Sequence, residues 1–430
     1  MFGFDTNLSR EELLGVLSSF GIAIPPTSKL PVESLQKRLR QAINASQAMP
    51  LVNARPPLDP AQYPKWPQGY KGLFDAIRRG NLQEAAMTQL AMREGQDPSP
   101  LYVNAFMDVR QTLMSLANNC ETGFKHAVMQ DLEKEKCAIN LRVVDVYKID
   151  ERTPLLIVLY QSFSAANPLP GIQWVQEQMS KHHQMPNVNA TELEQKLLLL
   201  ILEMNSKRLP PGFTVKRLKS EKDFKLSFLL PMGPLSYHDI GKLNLNTGCV
   251  VCGHDINSRC SQCQSVAYCG IECQKADWPS HKAACRSLKG GEWTTMPFSS
   301  RMPGTLGMIG QLINLRDNFQ SNMMAPMQTT DDTPPQNAYG NRLFLIKLQH
   351  TFGPGEGTFL IYDRKRTCVV YFLESKAPEV FKRFKAEITG PRGGNYGSGM
   401  FKMYRWAKRV GEQELSVCLD KVPNADSIKW

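Results

Sequence analysis

Between Cys249 and Cys285 the chain sets metal-ligand residues in the order C-x2-C-x7-C-x2-C-x5-C-x3-C-x7-H-x3-C. The eight candidate ligands are Cys249, Cys252, Cys260, Cys263, Cys269, Cys273, His281 and Cys285. Seven of the chain's 11 cysteines fall in this stretch, and the other four are widely separated. A Cys-x2-Cys turn aims two sulfurs at one ion. Cys269/Cys273 and His281/Cys285 are i, i+4 pairs, so each lies on one face of a helix. Eight sulfur and nitrogen donors suffice for two tetrahedral Zn2+ sites. The competing use of clustered cysteines is disulfide bonding. The start MFGFDTNLSREELL lacks the basic segment and apolar core of a secretory signal, so a reducing intracellular setting, nucleus or cytoplasm, and metal are expected. Spacing yields eight ligands in pairs; it leaves open which pairs share an ion.

The segment CVVCGHDINSRCSQCQSVAYCGIECQKADWPSHKAAC resembles a MYND-type zinc finger over its full length. Tyr268 before Cys269, Gln274 after Cys273 and Trp278 ahead of His281 match along with the ligands. The flanking GGEW at Gly290–Trp293 and the tail KMYRWAKRVGEQELSVCLDKVP resemble fungal proteins that carry such fingers. The resemblance implies interleaved sites, with Cys249, Cys252, Cys269 and Cys273 on one zinc and Cys260, Cys263, His281 and Cys285 on the other. It also implies that Gln274 and Trp278 line a groove for short proline-containing peptides.

So small a unit cannot bury enough surface to fold alone. Metal binding supplies the folding free energy, on the order of 10 kcal/mol per structural zinc. Seven thiolates and two Zn2+ contribute −3, while Arg259, Lys275 and Lys282 cancel Asp255, Glu272 and Asp277. A finger near −3 disfavours phosphate contacts and points to a protein partner. Gln274 and Trp278, one helical turn apart, put an aromatic ring beside an amide, which suits an extended proline-containing peptide. The alternative for Trp278 is packing in the small core.

Some MYND proteins carry a SET methyltransferase domain around the finger. That domain uses an Asn-His segment, and no Asn-His dipeptide occurs in this chain. H-E-x-x-H is also missing, and Gly353–Gly357 lacks the Lys-Ser/Thr of a phosphate loop, so it is expected to turn a hairpin. His182-His183 is expected to be solvent-exposed. The chain is therefore expected to act as a zinc-dependent interaction or adaptor protein and not as an enzyme.

Around the finger the pattern predicts an α+β protein with mixed helical and strand regions. Residues 1–49 read as a helical hairpin, opened by a Ser9/Glu12 capping box. The pair loosely resembles SAP modules, and docking on the main body or on a partner is expected. Residues 50–69 carry six prolines between Pro50 and Pro67 and read as an extended linker. Residues 70–246 read as mixed α+β, with helices at Leu73–Met92, Tyr102–Leu116, Ile172–Lys181 and Ala190–Lys207. Strands are expected at Ala138–Tyr147 and Leu155–Tyr160, and a hairpin over Phe213–Leu230. Residues 286–341 read as an irregular linker with one helix near Met308–Phe319. The longest apolar run, Leu197–Leu202, is far short of the ~20 residues of a membrane helix, so no membrane partner is expected.

Residues 342–430 read as strand-rich and basic. The formal net charge is +11, and Arg364–Arg409 holds 12 Lys or Arg against Glu374, Glu379 and Glu387. Arg364, Lys365, Arg366, Lys382, Arg383, Lys385, Lys402, Arg405, Lys408 and Arg409 are interleaved with Tyr396, Phe401, Tyr404 and Trp406. Such a pattern stacks bases and neutralises phosphates, so a nucleic-acid-associated transcriptional regulator is the alternative function. Strand alternation favours instead an aromatic core, with Tyr404 and Trp406 inside and Arg405 outside.

Overall fold

The computed structural model describes residues 7–22, 24, 28, 30–49, 58–81, 84, 92, 104–133, 137–164, 166–235, 239–240, 243, 248–254, 256–262, 266–288, 290–300, 318–319, 332, 334–340, 342–351, 357–364, 367–395, 400–423 and 428. The expected helix at Met308–Phe319 lies outside them except for Asn318–Phe319, which is extended. Cys263, Lys365, Arg366, Tyr396 and the turn at Gly353–Gly355 also lie outside. The described residues form two compact units, each mixed α and β. The first takes in Met1–Gly21, Leu35–Leu235 and Asn318–Ser321; the second takes in Ile22–Ser34, Ser236–Asp317 and Asn322–Trp430. No helix among the described residues is long and apolar enough to cross a membrane.

In the first unit α1 (Arg10–Ser19) starts at the expected capping box. The Glu12 N–H donates to Ser9 Oγ at 3.1 Å, and the Ser9 N–H donates to Glu12 Oε2 at 2.6 Å. α2 (Val32–Ser46) buries Leu35, Leu39 and Ile43. Both helices are built into the unit. Phe20 packs on Phe106 at 4.2 Å, Lys196 pairs with Glu12 at 3.0 Å, and Ser46 donates to the Gly233 carbonyl at 2.8 Å. The helix expected over Leu73–Met92 is interrupted: α3 (Leu73–Ile77) stops where Arg78 turns extended and Gly80–Asn81 forms a short strand; beyond it Glu84 and Met92 are again helical, and the other residues of that stretch lie outside the described ones. α4 (Ala105–Glu121) follows.

The sheet comprises β1 (His126–Gln130), β2 (Cys137–Asp150), β3 (Thr153–Ser164), β4 (Asn187–Asn189) and β5 (Lys225–Leu229), in the order β4-β1-β2-β3-β5. Only β4 is parallel to its neighbour. β1 and β4 escape the sequence reading because His126–Gln130 and Asn187–Asn189 are short and partly polar. The hairpin expected over Phe213–Leu230 is instead a 3-10 turn (Lys219–Glu221) leading into β5, whose partner is β3. α5 (Leu169–His182) lies on one sheet face, with Trp174 against Leu159 and Phe224. α6 (Glu192–Ser206) packs on β5 and α4, and Thr191–Glu194 caps it.

Glu194 is buried and accepts a hydrogen bond from the Thr112 hydroxyl. Burial pushes its carboxyl up to about 7. A raised carboxyl binds its proton more tightly in the fold than in the unfolded chain. The fold therefore gains stability as pH falls from about 7 towards 4.5 and loses it as pH rises. Glu194→Gln keeps the shape without the charge. The expected result is a gain on the order of 1–3 kcal/mol at pH 8 and almost none at pH 5, read from melting curves at both values.

The second unit holds β6 (Ser258–Arg259), β7 (Ala267–Tyr268), α7 (Ile271–Ser287), β8 (Trp293–Pro297), β9 (Phe344–Thr351), β10 (Thr358–Asp363), β11 (Val369–Leu373), α8 (Pro378–Thr389), β12 (Gly394–Asn395), β13 (Met400–Gly411) and β14 (Glu414–Cys418). Six strands run in the order β11-β10-β9-β13-β14-β8, and β12 adds to β13. Just past β8, the Ser299 N–H donates to the Tyr371 carbonyl at 2.8 Å, and the Tyr371 N–H donates back at 2.7 Å. Those two bonds join the ends of the sheet into a ring. Met296, Ile346, Ile361, Val370, Ala407 and Val417 fill its interior. Phe381, Phe384 and Ile388 of α8 pack into the same core against Phe359 and Phe372. The 286–341 stretch, expected to be irregular, thus supplies a strand, Trp293–Pro297. Its Thr294 and Met296 alternate inward, a signal too short to stand out among its Gly, Pro and polar neighbours.

Candidate metal centre and peptide-binding face

The turn Cys249–Cys252 is drawn closed by the Gly253 N–H donating to the Cys249 carbonyl at 2.8 Å and the Cys249 N–H to the His254 carbonyl at 2.7 Å. Gly248 and Gly253 both take positive φ, +92° and +73°. A Cβ on Gly248 would stand 2.0 Å from the Gly253 oxygen, so the tight turn requires glycine there. The β6–β7 ladder pairs Ser258 with Tyr268 and Arg259 with Ala267, which carries Cys260 and Cys269 into place. Tyr268 is fully buried and donates to Asp277 Oδ2 at 2.7 Å, tying the hairpin to α7. Cys273 sits in the first turn of α7, and His281 and Cys285 follow on the same helix.

Two groups result. Ligand atoms of Cys249, Cys252, Cys269 and Cys273 lie within 4.8 Å of one another, as do those of Cys260, His281 and Cys285. The ligands therefore interleave along the chain. Sulfur separations are 3.4 Å for Cys252/Cys269, 3.5 Å for Cys269/Cys273, 3.6 Å for Cys273/Cys252 and 3.8 Å for Cys260/Cys285. A zinc–sulfur bond near 2.3 Å sets the edge of a tetrahedron at about 3.8 Å, so these spacings suit zinc. They exceed a disulfide bond by well over an ångström, and none of the ten described cysteines is disulfide-bonded.

The thiols are electrostatically coupled. The His254 backbone and ring, with Nδ1 at 3.2 Å, pull Cys252 down to about 6. Hydrogen bonds to Cys269 and Cys252 push Cys273 up. Without a metal the four thiols thus differ in how readily they ionise; a divalent cation lets all four do so. His254, Asn257, which donates to the Cys269 carbonyl at 2.8 Å, and the Tyr268–Asp277 pair are supports that spacing alone did not reveal.

Gln274 and Trp278 lie one turn apart on α7, each half-buried. Trp278 packs on the finger core and meets the His281 ring edge-on at 6.0 Å. Leu343 and Trp406, from the β9–β13 region, pack on the same core.

Residues 249–285 match the MYND finger. MYND fingers bind zinc and are protein–protein interaction modules. Relatives share this segment. Tudor domain-containing protein 1 of Mus musculus is 34% identical over 103 residues, covering 23% of this chain and 9% of that protein. Dauer abnormal formation protein 25 of Caenorhabditis elegans is 57% identical over 42 residues, covering 10% of this chain and 11% of the relative. Histone-lysine N-methyltransferase SMYD3 of Homo sapiens is 46% identical over 46 residues, 11% of each chain. The matches thus span about a tenth of these relatives' length. No solved structure gives a significant match.

These relatives correct one expectation. The chain was read as a non-enzyme because Asn-His is missing, but its finger is shared with lysine methyltransferases. A missing dipeptide speaks to one catalytic architecture only, and that reading is withdrawn. The partial matches carry no activity across either.

The basic tail differs from its expected geometry. Arg405, not its aromatic neighbours, points inward: it is 1% exposed, between the buried Met403 and Ala407, and Tyr404 and Trp406 occupy the opposite, half-buried face. Arg405 Nη2 donates to Glu387 Oε1 at 2.6 Å, Nε to the Leu419 carbonyl at 2.6 Å and Nη1 to the Tyr404 carbonyl at 2.7 Å. Arg409 is also buried and donates to the Pro335, Glu412 and Gly411 carbonyls. Lys382 pairs with Glu379 and Arg383 with Glu292. At least four of the ten cations read as a phosphate-binding set are thus engaged within the protein. His182 and His183 are exposed, as expected.

Proposed function

We propose that this chain is an intracellular adaptor that holds two zinc ions and captures a proline-containing peptide on the α7 face of its MYND finger. Cys263 completes the second site, beside Cys260, His281 and Cys285. The observation that carries the reading is Trp278, which is fixed against the finger core yet stays partly exposed. A held indole stacks a proline ring at little entropic cost, and Gln274 one turn away offers an amide to the peptide backbone. The near −3 charge of the zinc-loaded finger favours peptides with basic flanks.

A proline-containing peptide array, probed with the full chain and with Trp278→Ala, tests this. Expected wild-type affinities are roughly micromolar to near-millimolar, because so small a face buries little area. Trp278→Ala is expected to lose binding and to keep both zincs. A variant that binds every hit as wild type does would place the peptide elsewhere.

A further inference from the structure

A cavity of about 370 Å³ opens in the first unit between α5 and the strands β1, β2 and β4. Its walls have a local cause. A Cβ on Gly171 would stand 2.9 Å from the Phe163 ring, so only glycine lets α5 begin this close to the sheet. Asn140, 1% exposed, donates to the Gly171 carbonyl at 3.0 Å and pins that end. α5 buries Trp174 and Gln178. Its adjoining flank, with Ile172, Val175 and Met179, lines the cavity opposite Val128 and Phe163.

Among the described residues the lining contains no Asp, Glu, Lys, Arg or His, in a chain where 21% of residues are charged. Its polar groups are amides and one hydroxyl. The Gln130 and Asn187 amides are bonded to each other at 2.9 Å. Ile172 and Met179 are each 47% exposed and give the entrance an apolar rim. A charged ligand would shed its hydration here without meeting a counter-charge. An apolar body with one hydrogen-bonding group would meet aliphatic walls, two adaptable methionines and an amide.

We propose that this cavity binds a neutral, mostly apolar small molecule of roughly 10–20 non-hydrogen atoms. Neutral N-phenyl-1-naphthylamine and its anionic counterpart 1-anilinonaphthalene-8-sulfonate share one ring system and serve as probes. Titrated into the full zinc-loaded chain, the neutral probe is expected to saturate at one per chain. The anion is expected to bind at least about tenfold more weakly. Ile172→Glu puts a charge on the exposed rim, where folding tolerates it, and is expected to weaken the neutral probe about tenfold. Ala138→Phe fills the floor and is expected to abolish binding. Leu132→Glu, on an exposed residue outside the lining, is expected to change nothing. If the Ala138 variant melts early, Ile172→Glu carries the test. The proposal is overturned by unsaturable binding, by equal binding of the two probes, or by wild-type binding in Ile172→Glu.

Discussion

Stripping zinc with a strong chelator is expected to unfold the finger and leave the ring of strands β8–β14 largely intact. The finger's own core is small: Cys249, Cys260, Tyr268, Cys285 and Leu288 are its buried members, three of them ligands. Without the ion, four thiolates crowded together would repel one another, and their neighbours already push Cys252 down and Cys273 up. Each structural zinc supplies on the order of 10 kcal/mol, more than this core can replace. The ring keeps its separate core of Phe359, Phe372, Phe381 and Phe384. Elemental analysis is expected to find two zincs per chain before chelation, and Cys260→Ala to lose one. Since Trp406 packs on the finger core, its fluorescence is expected to shift with the loss. Finding no zinc in protein purified under reducing conditions would sink the metal assignment. Collapse of the strand signal together with the finger would show the two to be one cooperative core.

Arg405→Met is expected to destabilise the second unit by about 3–5 kcal/mol, the effect of breaking a buried, hydrogen-bonded ion pair from one side. The guanidinium satisfies the Leu419, Tyr404 and Arg392 carbonyls as well as Glu387, and methionine leaves those oxygens without that donor. Burial alone would raise the Glu387 carboxyl, but hydrogen bonds from Arg392 and Arg405 outweigh it and hold the group below its usual range. A depressed carboxyl contributes stability above its unfolded value, which is lost as pH falls through the folded one. Urea unfolding followed by circular dichroism measures the loss. Lys382→Met, which removes an exposed pair with Glu379, is the comparison, with almost no change expected. Equal losses in the two variants would contradict the buried role of Arg405.

The α+β class, the metal-binding cysteine cluster and most long elements were legible in the sequence, because their signals are local. Ser9–Glu12 is a capping box within four residues, and His281 and Cys285 do lie one turn apart on α7; Cys269, expected on one helix face with Cys273, instead precedes α7 at the end of the β6–β7 ladder. Leu155–Tyr160 is a continuous apolar run, and the structure lengthens it to Thr153–Ser164 without changing its type. Misreadings occurred where short or polar segments draw their structure from distant partners. Asn187–Asn189 is a strand only because β1 lies beside it, and Trp293–Pro297 only because β14 does. Arg405 was placed outward because charge normally faces water. Its inward turn depends on Glu387 of α8, 18 residues away.

By itself, the sequence determined which atoms are available to hold metal, and that two ions would match their number and chemistry. Which thiols share an ion among the described ligands was decided by the fold, through the β6–β7 ladder and the Tyr268–Asp277 bond. Likewise the closure of the strands between Ser299 and Tyr371, and the cavity beside Gly171, exist only in three dimensions. The reason is physical: ligand chemistry and helix period are properties of neighbouring residues. Pairing across a sheet, burial of a charge and the space left between a helix and a strand depend on residues far apart in the chain.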